Sequence, residues 1–105
     1  MAFERVAALR DLWKGDMMAA VVSGRKVLLV RTDDAVFAYE DRCAHLGVAL
    51  SLGRLDGRVL TCSAHHWQYD VETGRGINPA AACLTRFAVS VEDGTILVDV
   101  EASEP

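Results

Sequence analysis

Apolar residues in this chain come in short runs separated by turn signals. Lys26–Arg31 (KVLLVR) reads as a buried strand. Ala35–Tyr39 (AVFAY) follows the turn signal Thr32-Asp33-Asp34. Arg58–Thr61 (RVLT) follows the hairpin signal Asp56-Gly57, and a second such signal, Asp93-Gly94, separates Leu84–Glu92 from Thr95–Val100. Phe87, Val89 and Val91 alternate with Ala88, Ser90 and Glu92, the period of a half-buried strand. The pattern allows one helical turn, near Leu9–Trp13. Many short strands with frequent turns predict an all-β protein, a small antiparallel β-sandwich or barrel. Two stretches carry no strand signal, Glu40–Gly53 and Cys62–Ala82. Both are long for loops in so small a protein, and long loops usually serve function.

The chain has 105 residues, 51% hydrophobic and 25% charged, which fits a single folded domain over 1–105. Its formal net charge of −4 argues against nucleic acid and against an anionic membrane surface. The apolar run Val27–Val30 is far short of a membrane span, and Met1–Arg5 lacks the apolar run of a signal peptide. The expectation is a soluble cytoplasmic monomer. An acidic protein suits a basic patch on a partner, and Glu40, Asp41, Asp70 and Glu72 lie near the two loops in sequence. They are candidates for steering such a partner; an ordinary solvated face is the alternative.

Both loops carry Cys and His. The first contains Cys43-Ala44-His45, the second Cys62-Ser63-Ala64-His65, with sixteen residues between the pairs. The chain has three cysteines, an odd number that argues against a disulfide framework. Two Cys and two His admit a tetrahedral zinc site, or a [2Fe–2S] cluster with two Cys on one iron and two His on the other. A zinc finger of this composition runs Cys-Cys and then His-His on a helix. Here each loop is mixed and the setting reads as β, which favours the cluster.

The boxes C-A-H-L-G and C-S-A-H-H-W-Q-Y-D-V-E-T-G resemble the two-box signature of the Rieske family. The opening F-E-R-V-A-A-L-R-D-L-W-K-G-D-M, the box C-A-H-L-G-V-A-L-S-L-G and the segment G-R-G-I-N-P-A-A-A-C-L are similar to the ferredoxin of toluene monooxygenases. The resemblance implies a Rieske fold whose cluster-binding subdomain presents loops at about 41–53 and 62–82. It implies one [2Fe–2S] cluster, with Cys43 and Cys62 on the inner iron and His45 and His65 on the outer iron through Nδ1. It also implies an electron carrier that serves an NADH-dependent flavin reductase and a di-iron hydroxylase oxidising aromatic rings. The nearest alternative is the ferredoxin of a ring-hydroxylating dioxygenase. A structural zinc-binding interaction module is the alternative of another class. A regulatory subunit of a larger reductase is weighed against by the intact set of four ligands. No nucleophile–base pair or phosphate loop is present, so the chain alone is expected to catalyse nothing.

The resemblance also informs the neighbours of the ligands. Rieske proteins of the cytochrome bc complexes carry a further Cys in each box, joined in a disulfide; Val48 and Ala64 stand at those positions here. Trp67 replaces a Ser hydroxyl donor of those proteins, whereas Tyr69 falls where they carry a Tyr donor, so a midpoint potential below theirs is expected. Gly76-Ile77-Asn78-Pro79 resembles the third loop that covers the cluster, and Gly47 is expected to permit a tight turn. His66 is expected to point away from the site and Cys83 to be a small buried hydrophobe. Trp67 either shields the cluster, contacts a partner or packs in the core. Trp13, Met17 and Met18 are expected to be packing or edge residues.

Overall fold

The computed structural model describes residues 3–33, 35–43, 47–64 and 66–104. The strands are β1 (Glu4–Ala8), β2 (Asp16–Val22), β3 (Arg25–Arg31), β4 (Val36–Glu40), β5 (Arg54–Asp56), β6 (Val59–Thr61), β7 (Gln68–Asp70), β8 (Gly76–Asn78), β9 (Arg86–Glu92) and β10 (Thr95–Glu104). Among the described residues the only helical pieces are two 3₁₀ turns, Leu9–Asp11 and Leu50–Leu52, the first where the sequence allows one. The protein is all-β, as expected. No helix among the described residues is long and apolar enough to cross a membrane.

Six strands form one antiparallel sheet in the order β1-β10-β9-β4-β3-β2, whose edge strands β1 and β2 touch, so that it curls towards a barrel. The other four form a smaller antiparallel sheet, β5-β6-β7-β8. The chain leaves the large sheet after β4, builds the small sheet, and returns to pair β9 with β4. Backbone bonds close the base of this excursion: the Glu40 N–H donates to Thr85 at 2.8 Å and the Asp41 N–H to Lys26 at 3.0 Å.

The apolar run of β3 follows from its place between two cores. Leu28 and Val30 face a core shared with the small sheet, together with Tyr39, Leu60, Tyr69 and Val71. Val27 and Leu29 face the interior of the large sheet, with Leu12, Phe87, Ile96 and Val98. A strand buried on both faces needs no polar alternation. Strand β9 alternates only in part: Phe87 is buried and Val89 half-buried, but Val91 is 42% exposed where the hairpin projects. That hairpin turns on Asp93 and Gly94, both at positive φ (51° and 74°), the pairing that suits a two-residue turn.

The region 62–82, expected to be loop, contains β7 and β8, each three residues long. Cys83, expected to be buried, is exposed: it forms an isolated bridge with Arg75 rather than lying in a strand that faces a core. Trp13 is 74% exposed and packs in neither core, whereas Met17 and Met18 pack one against each.

Candidate metal centre

Both sequence-predicted thiols lie at the roots of adjacent loops, where the small sheet meets the large one. Cys43 follows β4 and Cys62 follows β6, and both are buried. Each loop folds back on its cysteine. The Cys43 N–H donates to the Val48 carbonyl at 2.7 Å, and the Gly47 N–H to the Cys43 carbonyl at 2.9 Å. The Cys62 N–H donates to the Trp67 carbonyl at 2.7 Å. Gly47 adopts φ +72°, the tight turn expected of it and one that a side chain would strain.

The first loop is latched as well. Asp41, 6% exposed, accepts from the Ser51 N–H at 2.8 Å and from the Ser51 hydroxyl at 2.7 Å. This ties the residue two before Cys43 to the turn after the loop. Val48 and Ala64 pack against the same core.

Cys43 and Cys62 form no disulfide. Burial pushes the Cys62 thiol up from its ordinary pKa; a bond from the Ala64 backbone opposes this, and the side chain of Cys43 adds to it. Two buried thiols that meet without bonding covalently are poorly placed as isolated acids. They are well placed as paired soft donors to iron, which takes them as thiolates. The donors present therefore fit a cluster.

Tyr69, on β7, is fully buried, and its hydroxyl lies 3.4 Å from Cys43 Sγ. A thiolate has no proton to give, so towards a ligating Cys43 the Tyr69 O–H donates. Tyr39, on β4, donates its O–H to the Val71 carbonyl at 2.6 Å. Burial pushes this phenol up to about 12, against the pull of Arg86, so it stays a donor. It pins the segment after Tyr69 to the large sheet. Tyr39 and the Asp41–Ser51 latch carry no sequence motif.

His45 and His65 lie outside the described residues. Among the described residues no group of three or more His, Cys, Asp and Glu side chains gathers. His66 is exposed, at φ +57°. Trp67 is half-buried and packs against the core shared by the two sheets. Gly76–Asn78 form β8, followed by Pro79 after a cis bond.

The expected acidic steering residues are engaged within the chain. Asp41 holds Ser51, and Glu40 lies 3.8 Å from Arg25. Asp70 accepts from Arg58 Nε at 3.2 Å and Nη2 at 2.7 Å, and Glu72 lies 3.4 Å from Arg58 Nη1. Burial would raise the Asp70 carboxyl, but Arg58 and the backbone N–H groups of Glu72 and Thr73 hold it below its ordinary value.

The profile of the Rieske [2Fe-2S] domain matches residues 2–88. The ferredoxin component of the alkene monooxygenase system of Xanthobacter autotrophicus is 46% identical over 98 residues, 91% of this chain and 80% of that protein. The ferredoxin component of the naphthalene 1,2-dioxygenase system of Pseudomonas putida is 28% identical over 94 residues, 89% of this chain and 90% of that protein. The ferredoxin of carbazole 1,9a-dioxygenase from Nocardioides aromaticivorans superposes with a TM-score of 0.85 at 31% identity, covering 93% of this chain and 97% of that one.

Proposed function

The chain belongs to the Rieske [2Fe–2S] family, and on that footing we propose that it is the soluble, cytoplasmic ferredoxin of a monooxygenase system. It holds one Rieske-type cluster, carries electrons and catalyses no reaction of its own. An oxygenase and a reductase are its partners. In this reading the reductase is an NADH-dependent flavoprotein and the oxygenase a di-iron hydroxylase. The resemblance to toluene monooxygenase ferredoxins and the 46% identity to a monooxygenase component support that choice. The lower identity to dioxygenase ferredoxins leaves that pairing as the alternative.

Cys43, His45, Cys62 and His65 are the proposed ligands. The observation that carries the reading is the pair of buried, unbridged thiols at the roots of two mixed Cys/His loops, with the Tyr69 hydroxyl 3.4 Å from Cys43 Sγ. When bound, the cluster supplies a centre that accepts and releases one electron without making or breaking substrate bonds. Cys43 and Cys62 bind it from the core side, where their burial keeps water from the sulfurs. Asp41 and Ser51 tie the two ends of the first loop to each other. Two neutral imidazoles in place of thiolates lower the negative charge at the site and raise the potential above that of all-Cys ferredoxins.

Reconstitution with a purified flavin reductase and di-iron hydroxylase tests the assignment. NADH-dependent hydroxylation should require this protein. Turnover with dioxygenase components alone would move it to the alternative system.

A further inference from the structure

Beside the first ligand loop lies a cleft that the electron-carrier reading leaves unused. Gly24 in the turn before β3, Arg25 and Lys26 at the start of that strand, the end of β4 and its exit (Glu40, Asp41, Arg42), and Gly47 and Ala49 line about 460 Å³. Its two carboxylates are already occupied. Asp41 is turned inwards onto Ser51, and Glu40 faces Arg25, which also stacks on the Phe87 ring at 5.1 Å. Its two remaining cations are not. Lys26 and Arg42 are exposed and form no ion pair among the described residues. The Arg42 guanidinium lies on the ligand loop itself, since a Cβ on Gly47 would stand 3.1 Å from Arg42 Nε. A chain of net charge −4 thus presents a cationic flank beside Cys43.

We propose that this cleft receives a carboxylate-bearing patch of a redox-partner protein, with Arg42 and Lys26 as its two anchors. The proposal rests on the electron-carrier reading. It reverses the expectation drawn from net charge: the acidic residues nearest the loops are paired within the chain, and the charges left for a partner there are positive. Arg42 offers a planar fork suited to a carboxylate, and Lys26 a point charge across the cleft. Exposed charges of this kind act on encounter rate and its salt dependence more than on the strength of the final complex. The contact would set the partner against the loop that holds Cys43, shortening the electron's path.

The test uses cluster-loaded wild type, Lys26→Glu, Arg42→Glu and the double variant, each checked for an unchanged midpoint potential. Lys26 lies on β3 outside the ligand loop, so its variant remains informative if Arg42→Glu loads poorly. Stopped-flow oxidation of the reduced proteins is followed with ferricyanide, with hexaammineruthenium(III), and with the reductase and hydroxylase that support turnover. At low salt, each reversal should slow ferricyanide by about fivefold and speed hexaammineruthenium. The double variant should slow at least one protein partner by about tenfold, and high salt should erase the difference. Unchanged rates with both protein partners would overturn the docking site, whatever the small probes do. The carrier reading fails differently, through a wild-type protein with no chromophore that bleaches on reduction.

Discussion

Tyr69→Phe removes a single oxygen from the centre and leaves the ring in place. The ring is fully buried on β7, so the substitution opens no route for water, and the hydroxyl lies 3.4 Å from Cys43 Sγ. A net hydrogen bond is worth about 0.5–1.5 kcal/mol, and one to a charged acceptor about 1.5–3 kcal/mol. Reduction adds negative charge that the ligating sulfurs share, so the bond is stronger in the reduced state. A difference of about 1 kcal/mol between the two states corresponds to about 40 mV for one electron, at 59 mV per tenfold change. The variant should therefore load normally and show a midpoint potential lower by about 40 mV in a spectroelectrochemical titration. A potential that stays within about 10 mV of wild type, or rises, would refute the reasoning.

Three further perturbations follow from the same geometry. Asp41→Ala leaves the Ser51 N–H and hydroxyl without their carboxylate and should cost about 2–3 kcal/mol; Ser51→Ala keeps the N–H bond and should cost about 1 kcal/mol, both read as lower midpoints for thermal bleaching of the visible spectrum. Gly53→Ala would put a Cβ 2.2 Å from the Thr61 carbonyl oxygen, a backbone atom that cannot give way, so loading should fail; Gly15→Ala meets open space and should cost only the strain of its positive φ, about 1–2 kcal/mol. Arg58→Met should raise the acid-unfolding midpoint followed by circular dichroism. The lowered Asp70 carboxyl contributes stability that is fully present above its ordinary, unfolded value and is lost as pH falls through its folded value, so wild type and variant should differ at neutral pH and converge in strong acid. An unmoved midpoint would remove Asp70 from the stability account.

Sequence resolved the long, regular elements. KVLLVR gave β3 because both its faces are covered, and AVFAY gave β4 to within a residue. Asp93-Gly94 located the β9–β10 hairpin, whereas near Asp56-Gly57 the two-residue loop is Gly57-Arg58. Strands β5, β7 and β8 escaped because three residues are too few to show a period. Strand β2 (DMMAAVV) escaped because its apolar residues do not alternate, even though it ends at a turn whose residues, Ser23 and Gly24, both take positive φ. At the site, the two Cys/His boxes were legible because ligand spacing is local. The latch from Asp41 to Ser51 spans ten residues, the Tyr39–Val71 bond thirty-two, and the Tyr69–Cys43 contact twenty-six. Nothing in sequence told a buried, bonded Asp41 from an exposed one. Nor did sequence separate an exposed Cys83 from a packed one, because the Arg75–Cys83 bridge depends on where the small sheet ends.

The central claim is that two thiolates and two imidazoles of this chain hold a pair of irons. Protein purified anaerobically and supplied with iron and sulfide should contain about two irons and two labile sulfides per chain, and after dithionite should give a rhombic EPR signal of low average g. A colourless protein carrying a single zinc, or an iron protein whose reduced signal has the higher average g of an all-thiolate cluster, would contradict it.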